Sequence, residues 1–296
     1  MIDEPLDEGI PATATGTALR AAAEANLARV QDILYDDDYN ETEAVHDLRA
    51  ALKRWRAFAR LLEPLLGEGI HQSRTQARDL ARLLSGPRDA QAALDALNDL
   101  GDAEGRLSPR SIATITARLE KLRDTAEHPD LLRGARLELG RWLDQTTLFM
   151  AGWEFEEITF KQVATRLASI YERARGMVPD VWAEADPEHI HDLRKKVIEH
   201  RFQMELVEPL WPRLTKVWVA EAQRLRERLG CFNDLRVLES LTAPHQPLAP
   251  WRSRLTPLIA ERQARHLESA NRLCRRLFAD RPKAFRQRLI ALADEG

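Results

Sequence analysis

Apolar residues recur every three or four positions along most of the chain, the period of helices buried along one face, and no region reads as strand-rich. Leu19, Ala23, Leu27, Val30 and Leu34 predict a first helix, capped by Thr17 and ended by the acidic turn Asp36 to Asn40. The stretch Val45 to Leu66 predicts a second, with Thr42 as its cap and Pro64 and Gly67 as its terminators. Leu48, Leu52, Trp55, Ala59 and Leu62 form its apolar stripe. Further helices are predicted over 72–84, 89–100, 111–126 and 129–148, then over 160–177, 190–210, 214–229, 233–241, 251–278 and 282–292. Trp55, Trp142, Trp211 and Trp218 occur with Leu at helical spacing and read as core.

The polar face of the second helix changes this picture. Advanced by 100° per residue, Arg49, Lys53, Arg56 and Arg60 fall between about 280° and 340°, with His46 beside them, and the stripe contains no acid. A face that only needs solubility mixes acids with bases, so this one calls for an anionic partner. On the next helix His71, Arg74, Arg78 and Arg82 lie within about 80° of one another, a second basic stripe. Arg88-Asp89 then opens the fourth helix after the break Ser85-Gly86-Pro87.

The pattern returns. Ile190 to Leu210 matches Val45 to Leu65 without a gap, at the offset that takes His46 to His191. Asp47, Leu48, Arg49, Arg56, Glu63 and Pro64 recur as Asp192, Leu193, Arg194, Arg201, Glu208 and Pro209, and Leu80, Leu84 and Asp89 recur as Leu225, Leu229 and Asp234. A doubled His-x-x-Arg helix, each copy followed by a helix ending in Arg88-Asp89 or Asn233-Asp234, resembles the CHAD family, the conserved histidine α-helical domain, from about residue 18 onward. The resemblance implies an all-α fold of duplicated antiparallel helical bundles, related by a pseudo-two-fold axis around a central basic cavity that binds inorganic polyphosphate. On that reading residues 1–17 are a flexible tail, 18–150 the first half and 151–296 the second, with the connection near 149–159.

Composition narrows the partner. The chain has 296 residues, 44% hydrophobic and 31% charged, with a formal net charge of −3. A protein that coats nucleic acid by bulk positive charge is therefore not expected, and the cations must be locally concentrated. Cys231 and Cys274 are isolated, without the clustered spacing of a zinc site or a disulfide framework. With no apolar run near the roughly 20 residues that cross a bilayer and no signal-peptide pattern, a cytoplasmic protein without a membrane span is expected, associated with polyphosphate granules on the family reading.

A polyphosphate chain presents only oxygen acceptors and roughly one negative charge per phosphate, so a track of guanidinium and ammonium donors is its natural receptor. The expected contacts are His46, Arg49, Lys53, Arg56, Arg60, Arg74, Arg78, Arg82 and Arg88 from the first half, and His191, Arg194, Lys195, Arg201, Lys216, Arg224 and Arg228 from the second. Lys53, Arg54 and Arg60 correspond to Ile198, Glu199 and Glu205, so the first half is expected to dominate binding. Arg49 and Arg56 are expected to be removable without unfolding, since they lie off the apolar face. No phosphate loop, nucleophile elbow or His-Glu-x-x-His helix is present, and the basic stripes lack metal-binding carboxylates, so neither catalysis, cofactor nor metal is expected. A helical nucleic-acid-binding protein, or an accessory subunit of a polyphosphate- or triphosphate-processing enzyme, is the alternative.

Overall fold

The computed structural model describes residues 12–36, 38–85, 88–101, 106–126, 131–210 and 212–294. It is all-α among these, with eleven helices: α1 Ala12–Tyr35, α2 Glu41–Leu66, α3 Glu68–Leu83, α4 Asp89–Leu100, α5 Pro109–Ala126, α6 Leu131–Ala151, α7 Phe160–Arg175, α8 Pro187–Glu205, α9 Pro212–Ser240, α10 Arg252–Leu277 and α11 Pro282–Asp294. Residues 1–11 of the expected tail, the Gly86-Pro87 break, Pro129 and Trp211 lie outside the described residues.

Several helix ends differ from the sequence reading, each for a local reason. α1 begins at Ala12, so Gly16 and Thr17 are inside it, not a tail and a cap. Gly16 serves packing: a Cβ there would collide with the carbonyl of Phe155. Asn40, not Thr42, caps α2, its side-chain oxygen accepting from the Thr42 backbone N–H at 2.9 Å. α2 continues through Pro64 and stops at Gly67, whose φ of 76° suits a residue without Cβ. The predicted break between 229 and 233 is absent, because α9 is one helix of 29 residues running through Gly230.

Two hydrophobic clusters hold these helices. The larger joins α1, α2, α3 and α6 to α7, α8, the first part of α9, the end of α10 and α11. At its centre Trp55, fully buried, lies 6.2 Å from the stacked Trp153 and donates its indole N–H to Ser73 Oγ at 3.0 Å. Trp142 is buried edge-on to it. Trp153 and Phe155 therefore make the expected connection part of the core. The smaller cluster joins α4 and α5 to the end of α9 and the start of α10, so α5 packs outside the larger cluster.

α2 and α8 pack side by side and antiparallel. Arg54 faces Glu205 at 3.5 Å, Gln203 Nε2 donates to the Ala57 carbonyl at 3.0 Å, and Arg60 faces Glu199 at 3.5 Å. The basic face of α2 is thereby turned toward α8 and α9.

Two buried polar groups make the fold sensitive to substitution and to acid. Arg49 is only 9% exposed, and its Nη1 donates to the Leu84 carbonyl and to Ser85 Oγ, each at 2.7 Å, closing the end of α3. Arg49 therefore carries stability that its place off the apolar face of α2 did not suggest: Arg49→Ala should lower unfolding free energy by about 2 kcal/mol in a urea titration, the scale of charge-assisted hydrogen bonds lost from a buried site. His200 is fully buried among Tyr171, Phe278 and Phe285 and accepts the Trp218 indole N–H at 3.1 Å. Burial pushes its pKa down to about 4. The unfolded chain therefore takes up this proton first, and stability should fall as pH drops from 6.5 toward 4. Between pH 7.5 and 5, thermal unfolding should show the wild type losing about 2 kcal/mol more than His200→Gln, a variant that still offers Trp218 an acceptor.

Candidate anion-binding site

The basic face of α2 meets cations from three other elements. Lys53 lies half-buried where its ammonium feels the charges of Arg49 on its own helix, Arg88 before α4, Arg194 on α8 and Arg226 on α9. Burial first, and these like charges second, hold its pKa down to about 8. The same burial lowers Arg49 to about 10. Burial also shifts Arg194 downward, with Asp234 opposing that shift and Arg226 and Arg88 adding to it.

Two cavities flank this group. One, of about 710 Å³, lies between α4, the start of α8 and the end of α9, and Arg88, His191, Arg194, Arg226, Asn233 and Asp234 line it. Asn233 Nδ2 donates to His191 Nδ1 at 3.2 Å, which leaves the Nε2–H of a neutral imidazole as a donor. Burial and the Lys195 ammonium keep the His191 pKa below its ordinary value. The other cavity, about 340 Å³, runs along the α2–α8 junction past Lys53, Arg56, Arg60, Lys195, Lys196 and Glu199. Lys53 borders this second cavity and feels the guanidinium groups of the first, so it stands between the two.

Gly230 explains how Arg194 enters. A Cβ at Gly230 would come within 3.2 Å of the Arg194 Nη2, so the glycine leaves the guanidinium room against the α9 backbone. The sequence reading took this region for a helix end, where glycine is common, and the helix instead continues.

The structure brings Arg49, Lys53, Arg88, His191 and Arg194 together, and adds Arg56, Arg60 and Lys195 along the second cavity. The α3 stripe is not clean. Arg74 donates to Glu63 at 2.7 Å, and Arg78 and Arg82 lie 2.9 Å and 3.5 Å from Asp79. Arg56 nonetheless feels Arg60, Arg74 and Arg78 as like charges. Arg201 is tied to Glu205 at 2.6 Å. His46 is exposed and lines neither cavity.

On α9 the expected bases Lys216, Arg224 and Arg228 line neither cavity. Lys216 and Arg224 are 70% and 68% exposed and face Glu208 and Glu221, and Arg228 is also exposed. Arg226, which the sequence reading passed over, lines the larger cavity together with Arg236. The repeat hides it, because its counterpart is Ala81. Its spacing of four from Gly230 and seven from Asn233 is the signal that marks that face of α9.

Acids also lie here, on elements other than the α2 stripe. Asp89, Asp95 and Asp234 line the larger cavity. Burial pushes Asp234 up to about 6, and Arg194 opposes that shift. In the second cavity Glu199 Oε2 is shared between Arg60 at 3.5 Å and Lys196 at 3.4 Å, while its Oε1 is buried without a hydrogen bond.

The described helices include none long and apolar enough to cross a membrane. Comparison with solved structures gives PptA from Streptomyces chartreusis, with a TM-score of 0.64 at 16% identity, covering 90% of this chain and 99% of that one. The crystal structure of the CHAD domain from the plant Ricinus communis aligns with a TM-score of 0.57 at 17% identity, covering 97% of this chain and 94% of its own. No curated protein matches. The family description for the CHAD domain matches residues 17–243, and on that match the chain belongs to the CHAD family.

Proposed function

We propose that this protein binds inorganic polyphosphate and does so without turning it over. The observation that carries the reading is the cation group around Lys53, where Arg49, Arg88, Arg194 and Arg226 crowd an ammonium already half-removed from water. At neutral pH this arrangement works against folding, since unfolding would return each charge to solvent and separate it from its neighbours. A polyanion relieves the repulsion and supplies acceptors to the cations of this group other than Arg49, which already bonds the end of α3. The two cavities on either side of Lys53 favour an extended chain over a single phosphate, because one phosphate satisfies one cavity only. Family membership is compatible with the same ligand.

Two of the acids at the site support the reading of binding without hydrolysis. Asp234, with its pKa up to about 6, stands against Arg194, and Glu199 against Arg60 and Lys196, so these carboxylates offset cations. In this reading the protein is a cytoplasmic polyanion receptor recruited to polyphosphate granules. Single-stranded RNA and duplex DNA are the competitors that test its selectivity. A labelled long-chain polyphosphate should survive an equal charge concentration of either at near-physiological salt, where counterion release no longer favours every polyanion. Displacement by RNA or DNA would make the site a generic polyanion surface. Phosphate release from polyphosphate with added Mg²⁺ would overturn the non-enzymatic reading.

Lys53 gives the binding a pH signature. An anion favours the charged ammonium, so affinity should fall as pH rises from 7 to 9, through the value of about 8 in the free protein. Lys53→Arg should flatten that dependence, and Lys53→Gln should weaken binding at least tenfold at pH 7, both read by fluorescence anisotropy.

Glu199 should act in the opposite direction. It competes with the ligand for Arg60 and Lys196, so Glu199→Gln should tighten polyphosphate binding at least threefold and steepen its dependence on salt by about one counterion.

A further inference from the structure

Beside the large cavity, close enough for Cys231 and Arg194 to feel each other's charge, three different donor side chains converge from three helices. Asp99 stands at the end of α4, Cys231 on α9 and His266 on α10. One ligand atom of each lies within 4.8 Å of the others, and His266 Nε2 is 2.6 Å from Asp99 Oδ2. His266 is 2% exposed, while Asp99 and Cys231 are half-buried, so the group is enclosed yet reachable. We infer that Asp99, Cys231 and His266 form a binding site for a zinc-class divalent cation.

The chemistry of the donors selects the ion. One thiolate, one imidazole and one carboxylate are the mixed set that suits a borderline-soft, tetrahedral cation, and hard oxygen-seeking ions such as Mg²⁺ gain little from two of the three. Bond lengths of about 2.0 to 2.3 Å would set the ligand atoms about 3.3 to 3.8 Å apart. With the donor atoms already within 4.8 Å of one another, binding needs a small closure at the sulfur and an opening of the 2.6 Å Asp99–His266 hydrogen bond. Water completes the fourth position. On binding, the thiol proton leaves to solvent and the Nε2 proton that His266 shares with Asp99 moves to Nδ1 of the same ring, so a neutral imidazole ligates; the thiolate with the Asp99 carboxylate then balances the two charges of the ion.

Arg262 is the rival occupant. Its Nη2 and Nε donate to the two oxygens of Asp99 at 2.9 and 3.1 Å, and its side chain is 34% exposed, so it can swing outward to solvent. A cation in this place would clamp α4, α9 and α10 together beside Arg194 and Asp234, with Cys231 only three residues from Asp234. Sequence spacing gives no hint of the site, because the donors come from residues 99, 231 and 266.

The test is a titration of Co²⁺ into the full-length chain without polyphosphate, followed by displacement with Zn²⁺. One equivalent should produce a thiolate-to-cobalt charge-transfer band and the intense visible bands of a tetrahedral site, and Zn²⁺ should abolish both. Cys231→Ser should remove the charge-transfer band and weaken Zn²⁺ at least tenfold, with an unchanged circular dichroism melt in the metal-free state. Cys274→Ser should leave the band intact, since Cys274 is buried elsewhere in the core. Arg262→Gln should tighten Zn²⁺ by removing the competing guanidinium. A charge-transfer band that persists in Cys231→Ser, or its absence from both the wild type and Arg262→Gln, would overturn the assignment.

Discussion

Like charges held together at a partly dry crossing of helices are the constraint on which this structure turns. Lys53 and the guanidinium groups of Arg49, Arg88, Arg194 and Arg226 repel one another, and burial weakens the water that would screen them. Something else must keep α2 against α8. Part of it is apolar, the continuous cluster in which Leu48, Leu52 and Trp55 of α2 and Leu193 and Val197 of α8 are fully buried. The rest is the set of contacts flanking the cations: Arg54 with Glu205, Arg60 with Glu199, and the Gln203 amide on the Ala57 carbonyl.

Those flanking contacts give a physical meaning to the unequal repeats. Positions 54 and 199 correspond between the two repeats, as do 60 and 205, and the antiparallel crossing brings 54 to 205 and 60 to 199. With arginine in both repeats, each of these encounters would set two cations together. With glutamate in the second, each becomes an ion pair. The acids that in the sequence suggest a weaker second half therefore offset charge from the first half, while Arg194 and His191 of the second line the larger cavity. Binding and cohesion share the same few side chains, so an anion that enters the second cavity must contend with Glu199.

The α9 helix shows how one element serves both sites. Toward the large cavity it presents Arg226, Asn233 and Asp234, with Gly230 admitting the Arg194 guanidinium. Cys231 points into the group with Asp99 and His266. Its continuity through Gly230 fixes these faces relative to each other, which two shorter helices joined by a turn would not do.

Helical periodicity was enough to determine the all-α class, most of the helices and the buried faces of Trp55 and Trp142, because a 3.6-residue repeat of apolar side chains is a local property. The repeat at fixed offset and the acid-free stripe on α2 likewise pointed to the family and to the cationic group at Arg49, Lys53 and Arg194. Tertiary structure decided the rest. Whether a cation faces a cavity or an acid depends on the neighbouring helix, so Arg226 lines the larger cavity and Arg224 does not, the α3 stripe is paired with Glu63 and Asp79, and His46 is exposed while His191 is half-buried. Arg49, expected as a ligand contact off the apolar face, is also a buried anchor for the end of α3 because its partners are the carbonyl of Leu84 and the hydroxyl of Ser85, some 35 residues along the chain. Periodicity identifies a face; only packing identifies what that face meets, since the meeting partners are distant in sequence and no local pattern encodes the crossing that joins them.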